Sequence, residues 1–244
     1  MDESLIILAM LDVLGFEGIF IRRGGLAPMH DVYRQLIEFV QKQTGGLNIV
    51  PVPNEDGTAT PAVGWLTIEQ AYFSDTVLFW STYHPFHLSA FGSLVAEAIC
   101  VSIELGLPVR GALSVGQAVM DKSAGIYLGM PIIEAARAEK SQTWIGASFA
   151  PSLCKPPYCK GLMLNTVLPY KSHVKSGSER HVPGLVVDWP RQWRQTRSTE
   201  AKAAIDALDV DAKYAPCYET TRRFIEFSAE NHDWFKHRPS LSFG

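Results

Sequence analysis

The chain has 244 residues and a mass of 27.0 kDa, with 47% hydrophobic and 19% charged residues. These are values of a folded globular chain and exclude a disordered or fibrous one. A formal net charge of -3 excludes a broad electrostatic grip on nucleic acid, while leaving room for a small basic pocket that holds a triphosphate.

One domain of ordinary size with appendages is expected, large enough to bury a core without staples. Cys100, Cys154, Cys159 and Cys217 form no CxxC pair, so reduced thiols and a cytoplasmic protein are expected. The opening Met-Asp-Glu-Ser is acidic where a signal peptide is positive, and no apolar run is expected to reach the length of a membrane span.

Leu5 to Leu11 is a near-continuous apolar run, the pattern of a strand buried on both faces, and it ends in Asp12, where ligands of α/β sheets usually sit. Gly15 permits a tight turn behind it, and the amides of residues 13 to 17 can point at an anion beside the carboxylate. Arg22 to Gly25 mark a loop, and residues 27 to 42 place Met29, Val32, Leu36 and Val40 at helical spacing. Gly45 to Gly57 read as a turn-rich insertion. Residues 63 to 68 read as a second strand, and residues 63 to 80 as a hairpin turning near Ser74 and Asp75.

A second amphipathic helix is predicted over residues 86 to 105, stopped by Gly106 and Pro108, followed by a strand over 109 to 116. The order strand, helix, strand, strand, helix, strand is that of the ferredoxin-like βαββαβ arrangement, an α+β class. In that topology the first strand lies beside the central hairpin, so Asp12 and Asp75 converge. A short extended piece over 124 to 129, a helix opened by Pro131, a strand over 161 to 168, and helices over 201 to 208 and 220 to 231 complete the reading. The expected division is a catalytic domain over 1–170 and a C-terminal, largely helical extension over 171–244 packing on it.

Asp12 with Gly15-Phe16, then Asp75 in a hairpin, Arg110-Gly111, and Gly129 with Arg137 on the next helix together resemble the class III nucleotide cyclases over residues 5 to 150. The resemblance implies that Asp12 and Asp75, helped by the carbonyl of Val13, hold two divalent ions, Mn2+ or Mg2+, and that amides near Gly15 and Phe16 cradle phosphates. Arg110 would bind phosphate, and Arg137 would stabilise the transition state. Two such ions about 4 Å apart activate a ribose hydroxyl and clamp a triphosphate. The resemblance also implies a head-to-tail homodimer with composite active sites.

Purine cyclases usually carry an asparagine one turn before that last arginine; here the place is Ile133. The stretch Gly129 to Gly146 is similar instead to the Pycsar pyrimidine cyclases of bacterial anti-phage defence. That implies conversion of UTP to cyclic UMP and pyrophosphate, read by a separate effector, with no direct membrane insertion of the cyclase itself. Ala71 and Ile126 stand where purine cyclases place base-selecting polar residues, and neither hydrogen-bonds through its side chain. Cyclic CMP production is the near alternative, and a degenerate nucleotide-binding module is the alternative of another class. His84 with His87, the pair Cys154 and Cys159, and Lys171 with Lys175 are read as loop, turn and solvated basic residues before they are read as sites.

Overall fold

The computed structural model describes residues 3–43, 47–53, 59–85, 87–158, 166–209 and 211–234. The apolar run forms β1 (Ser4–Val13), followed by α1 (Phe16–Arg22) and α2 (Leu26–Gln43). Next come β2 (Leu47–Pro53), β3 (Ala59–Trp65), β4 (Glu69–Phe73), β5 (Thr76–Thr82), α3 (His87–Glu104), β6 (Val109–Asp121), β7 (Ile126–Gly129) and α4 (Met130–Lys140). The remaining elements are β8 (Gly146–Phe149), β9 (Val167–Pro169), β10 (Leu185–Val187), α5 (Trp189–Thr196), α6 (Ala201–Asp206) and α7 (Ala215–Glu230).

The main sheet runs β4-β5-β1-β6-β8-β10-β9, with β7 folded onto β6. Its first four strands have the ferredoxin-like order, and the α+β class and topology expected from the sequence are present. Every pairing is antiparallel except that of β6 with β8.

β1 is central, and its alternation divides the core. Ile7, Ala9, Leu11 and Val13 join the cluster beneath α2 and α3, while Ile6 and Leu8 join Ala112, Ala135 and Ala138 beneath α4, because successive side chains point to opposite faces. Each fully buried Leu or Phe of these layers stabilises the fold by about 2–3 kcal/mol. Register here is locked by Gly111. A Cβ on it would lie 2.2 Å from the carbonyl oxygen of Met10 and 2.4 Å from Leu11 Cδ2, so only glycine lets the two backbones approach. With that register, Asp12 stands directly opposite Arg110 in the β1–β6 ladder.

The structure departs from the sequence reading at three places. Residues 63 to 68 do not start the central hairpin: β3 ends at Trp65 and pairs with β2 in a separate two-stranded ribbon, with Pro51 opposite Pro61. Prolines that read as turn signals are tolerated because both strands of a ribbon are edges and need no donor on the outer side. Between the expected Gly15 turn and the loop at Arg22 to Gly25 lies a helix, α1. Third, α3 is long and apolar enough to cross a membrane by length and composition, against the expectation that no segment was. In this fold it is a core helix, burying Leu88, Phe91, Val95, Ala98 and Ile99.

The expected strand at 161–168 is present from Val167 onward, and residues 161–165 lie outside the described residues. β9 and β10 pair with each other across the expected boundary at residue 170, so both sides of that boundary contribute to one sheet. α5 and α7 pack against each other through Asp188, whose carboxylate caps the α5 start at Arg191 N (3.2 Å) and accepts from Ser228 Oγ (2.5 Å).

Candidate functional site

Two carboxylates are brought together at the carboxyl end of β1. Asp12 sits opposite Thr76 across β1 and β5, and Thr76 donates its hydroxyl to Asp12 Oδ1 at 3.0 Å. Asp75 lies in the two-residue turn between β4 and β5, beside Ser74, which holds the left-handed conformation at φ 55°. That strained turn presents the Asp75 carbonyl to Val13, whose amide donates to it at 2.9 Å. The clip ties the ends of β1 and the hairpin, so both acids face one space, as the sequence order predicted.

The electrostatics of that space run short of positive charge. Burial pushes the Asp12 carboxyl up to about 6, and the charges of Glu139 and Asp75 push the same way, against the Thr76 hydrogen bond and the Arg110 charge. A cation arriving beside a carboxyl raised for this reason would favour its ionised form and lower its pKa again. The donor set of Asp12, Asp75 and the Val13 carbonyl is all hard oxygen, which suits Mg2+ or Mn2+. No group of three His, Cys, Asp or Glu converges among the described residues.

Gly15 adopts φ 72° and opens α1, and the Leu14 amide is anchored on the carbonyl of Pro108 at 2.8 Å. The turn, the acid pair and Arg110 line a cleft of about 270 Å³ together with Phe16, Glu17, Lys213 and Tyr214. The last two were not singled out from the sequence, and they come from the segment before α7. Beneath the cleft, Tyr33 makes an edge-to-face contact with Phe16 at 6.2 Å. Its hydroxyl is buried without a hydrogen-bond partner among the described residues, and burial with the nearby Asp75 and Asp12 charges pushes its ionisation up.

Arg110 lines the cleft but is committed to Glu139. Its Nε donates to Glu139 Oε1 at 2.6 Å, its Nη2 meets the same oxygen, and its Nη1 donates to the Gln142 carbonyl at 3.1 Å. Both side chains are largely buried, at 15% and 4% exposure. Glu139 was not a candidate from sequence, because its link to β6 crosses from α4, 29 residues away.

Arg137 is exposed on α4 and does not line the cleft. One turn earlier, Ile133 is 45% exposed, and Glu134 accepts from the Ser152 amide at 3.2 Å. Around this helix start lies an exposed apolar group: Phe73 (46%), Leu128 (59%) and Met130 (63%). Phe73 shares the α4 face with Ala71 and meets Tyr127 edge-on at 5.4 Å, while Tyr72 turns to the other face.

The lesser candidates stay apart from the cleft. Lys175 Nζ donates to the Lys140 carbonyl at the end of α4. Cys100, Cys154 and Cys217 are buried free thiols, and Cys159 lies outside the described residues. His84 and His87 contact ring to ring at 5.3 Å, with no third ligand among the described residues.

No protein-family model matches the chain, and no curated protein does. Among solved structures it is similar to the guanylyl cyclase Cya2, at 14% identity and TM-score 0.44, covering 76% of this chain and 90% of that one. It is similar also to the catalytic core of a rhodopsin-guanylyl cyclase with converted specificity in complex with ATPαS, at 11% identity and TM-score 0.45, covering 76% and 97%. A third is a class III adenylyl cyclase-like ATP-binding protein from Pseudomonas aeruginosa, at 15% identity and TM-score 0.43, covering 94% of this chain and 44% of that one.

Proposed function

We propose that the chain is a cytoplasmic nucleotidyl cyclase that converts a pyrimidine nucleoside triphosphate, UTP first, to its 3′,5′-cyclic monophosphate and pyrophosphate. The cyclic product would be a messenger for a separate effector in anti-phage defence. The observation that carries the cyclase reading is the clipped acid pair, Asp12 and Asp75, opening on the same cleft as the Gly15 turn. In the reaction the ribose 3′-hydroxyl releases its proton to solvent as its oxygen bonds to the α-phosphorus, the bridge to the β-phosphate breaks, and pyrophosphate leaves with the bonding electron pair. Divalent ions held by Asp12, Asp75 and the Val13 carbonyl would supply Lewis acidity for both oxygens.

The residues of the chain do the rest. The Gly15 and Phe16 amides orient phosphates, Thr76 fixes the Asp12 rotamer, and Arg137 meets charge developing on the transferring phosphate. Because Arg137 is exposed on α4 and outside the cleft, it serves the acid pair of a second copy in a head-to-tail homodimer. The exposed Phe73, Leu128, Met130 and Ile133 around the start of α4 supply apolar surface for that partner copy to cover.

The pyrimidine reading is supported by Ala71 and Ile126, which offer no hydrogen bond to a purine edge, and by the aromatic group of Phe73, Tyr127 and Trp80, with Tyr127 5.6 Å from Trp80. An imperfect fit of this kind costs a wrong base a few kcal/mol of transition-state binding, of order 10²-fold in rate. The test is purified protein with all four triphosphates at equal concentration and Mn2+, with products identified by mass. Cyclic UMP is expected to predominate. Predominant cyclic AMP or GMP overturns the pyrimidine reading, and predominant cyclic CMP overturns only the choice of uracil. Triphosphate binding without any cyclic product supports instead a nucleotide-binding module, the reading that Ile133 in place of a polar residue permits.

A further inference from the structure

A triphosphate brings several negative charges into the cleft, and among the described residues two cationic side chains line it, Arg110 and Lys213. They differ in what already holds them. Arg110 satisfies Glu139 through Nε and Nη2 and a backbone carbonyl through Nη1. Drawing it onto a phosphate would strand a carboxylate that is 4% exposed, a change that costs several kcal/mol when a buried pair is broken.

Lys213 is 58% exposed, its nearest carboxylate is Asp211 at 3.8 Å, and its ammonium rests 5.1 Å above the Tyr214 ring. Such an exposed, long ion pair contributes little, so the ammonium can exchange it for phosphate at small cost. The backbone that carries it is nonetheless seated beside the cleft. Tyr214 packs on the Gly15 turn so closely that a Cβ on Gly15 would lie 3.1 Å from Tyr214 Cε2. This seats the Ala212–Tyr214 turn on the backbone beside the acid pair.

We infer that Lys213, delivered from the C-terminal segment by Tyr214, is the cation that grips the terminal phosphates of the nucleoside triphosphate, while Arg110 holds the wall of the cleft through Glu139. This rests on the reading of the cleft as a triphosphate site. It also gives the segment before α7 a part in substrate binding: that segment completes the phosphate end of the site.

The test measures binding without turnover on the full chain. Dideoxy-UTP and dideoxy-CTP lack the 3′-hydroxyl and cannot cyclise, and UMP and CMP lack the outer phosphates; all four are titrated calorimetrically with Mn2+. Lys213→Ala is expected to weaken the two triphosphates roughly ten- to a hundredfold, the loss of one charge-assisted hydrogen bond. It should leave the monophosphates within about twofold, because the β- and γ-phosphates alone are affected. Lys213→Arg should restore most of the loss, and the melting temperatures should coincide, as expected for an exposed side chain. Triphosphate binding by Lys213→Ala equal to wild type, or an equal loss for monophosphates, overturns the inference and leaves the cyclase reading standing. Failure of the wild-type protein to bind any triphosphate overturns both.

Discussion

Around Gln142 every polar atom of the side chain is met: Nε2 donates to the carbonyls of Gly111 (2.9 Å) and Ala138 (2.8 Å). Oε1 accepts from Trp144 Nε1 and Ser148 Oγ, each at 2.7 Å. Around Asp12, on the other side of Arg110, the carboxylate has one hydroxyl donor, Thr76, and two acids, Glu139 and Asp75, that raise its pKa. Gln142 is fully buried and Asp12 half-buried, but one group is closed and the other is open. Burial of a polar group stabilises a fold only when its bonds are complete. The closed group therefore positions β6, α4 and β8, and the open one is left with capacity for a ligand.

His173 adjoins the closed group through Nε2, while its buried Nδ1 has no hydrogen-bond partner among the described residues. The Ser148 hydroxyl proton goes to Gln142, so His173 Nε2, 2.7 Å from Ser148 Oγ, must carry the proton and donate it. The ring is neutral, its pKa lowered by burial to about 3.

The largest effect expected from breaking this contrast is at the open end. Asp12→Ala or Asp75→Ala should lower turnover by about 10³-fold or more, some 4 kcal/mol of transition-state stabilisation, with the melting temperature unchanged or raised. Arg137→Ala should be similarly inactive, yet mixing it with Asp12→Ala should recover part of the activity, since one site of a mixed dimer is intact. Turnover near wild type in either aspartate variant refutes the acid pair. No recovery after demonstrated subunit exchange refutes the shared site.

At the closed end the losses should fall on stability. Gln142→Ala strands two carbonyls, an indole N–H and a hydroxyl, and should cost about 3 kcal/mol or more in denaturant unfolding. Triphosphate affinity of the folded fraction should stay within about threefold of wild type, because none of these groups faces the cleft. A stable Gln142→Ala protein that no longer binds nucleotide would reverse the assignment of the two groups.

What the sequence made legible follows the same division. Asp12 could be placed because an unbroken apolar run announces a central strand, and Asp75 because topology alone puts the hairpin beside it. The Gly15 turn was legible from residue type, since φ 72° suits glycine. Glu139 was not legible: its bond to Arg110 depends on how α4 sits on β6, which no local pattern encodes. Lys213 and Tyr214 were hidden further still, because they reach the cleft from the opposite end of the chain and look locally like any polar turn before a helix. The β2–β3 ribbon was missed for a different reason, its prolines being signals of a turn in most contexts and of an edge pair here.

The smallest expected effect isolates Asp12 as an unpaid charge. With its folded pKa raised from 3.8 to about 6, the folded protein holds a proton between those values that the unfolded chain has released. The contribution of Asp12 to stability is thus greatest at low pH and declines as pH rises through that window. Asp12→Asn, which cannot ionise, should make the metal-free protein more stable than wild type at pH 7 to 8, by on the order of 1 kcal/mol after solvent screening of a partly exposed carboxyl is allowed for. Below pH 4 the two proteins should converge. Saturating Mn2+ should stabilise wild type and leave Asp12→Asn little changed. Wild type more stable than Asp12→Asn at pH 8 without metal would show that the carboxylate is already satisfied by its neighbours, and the site would then be closed like that of Gln142.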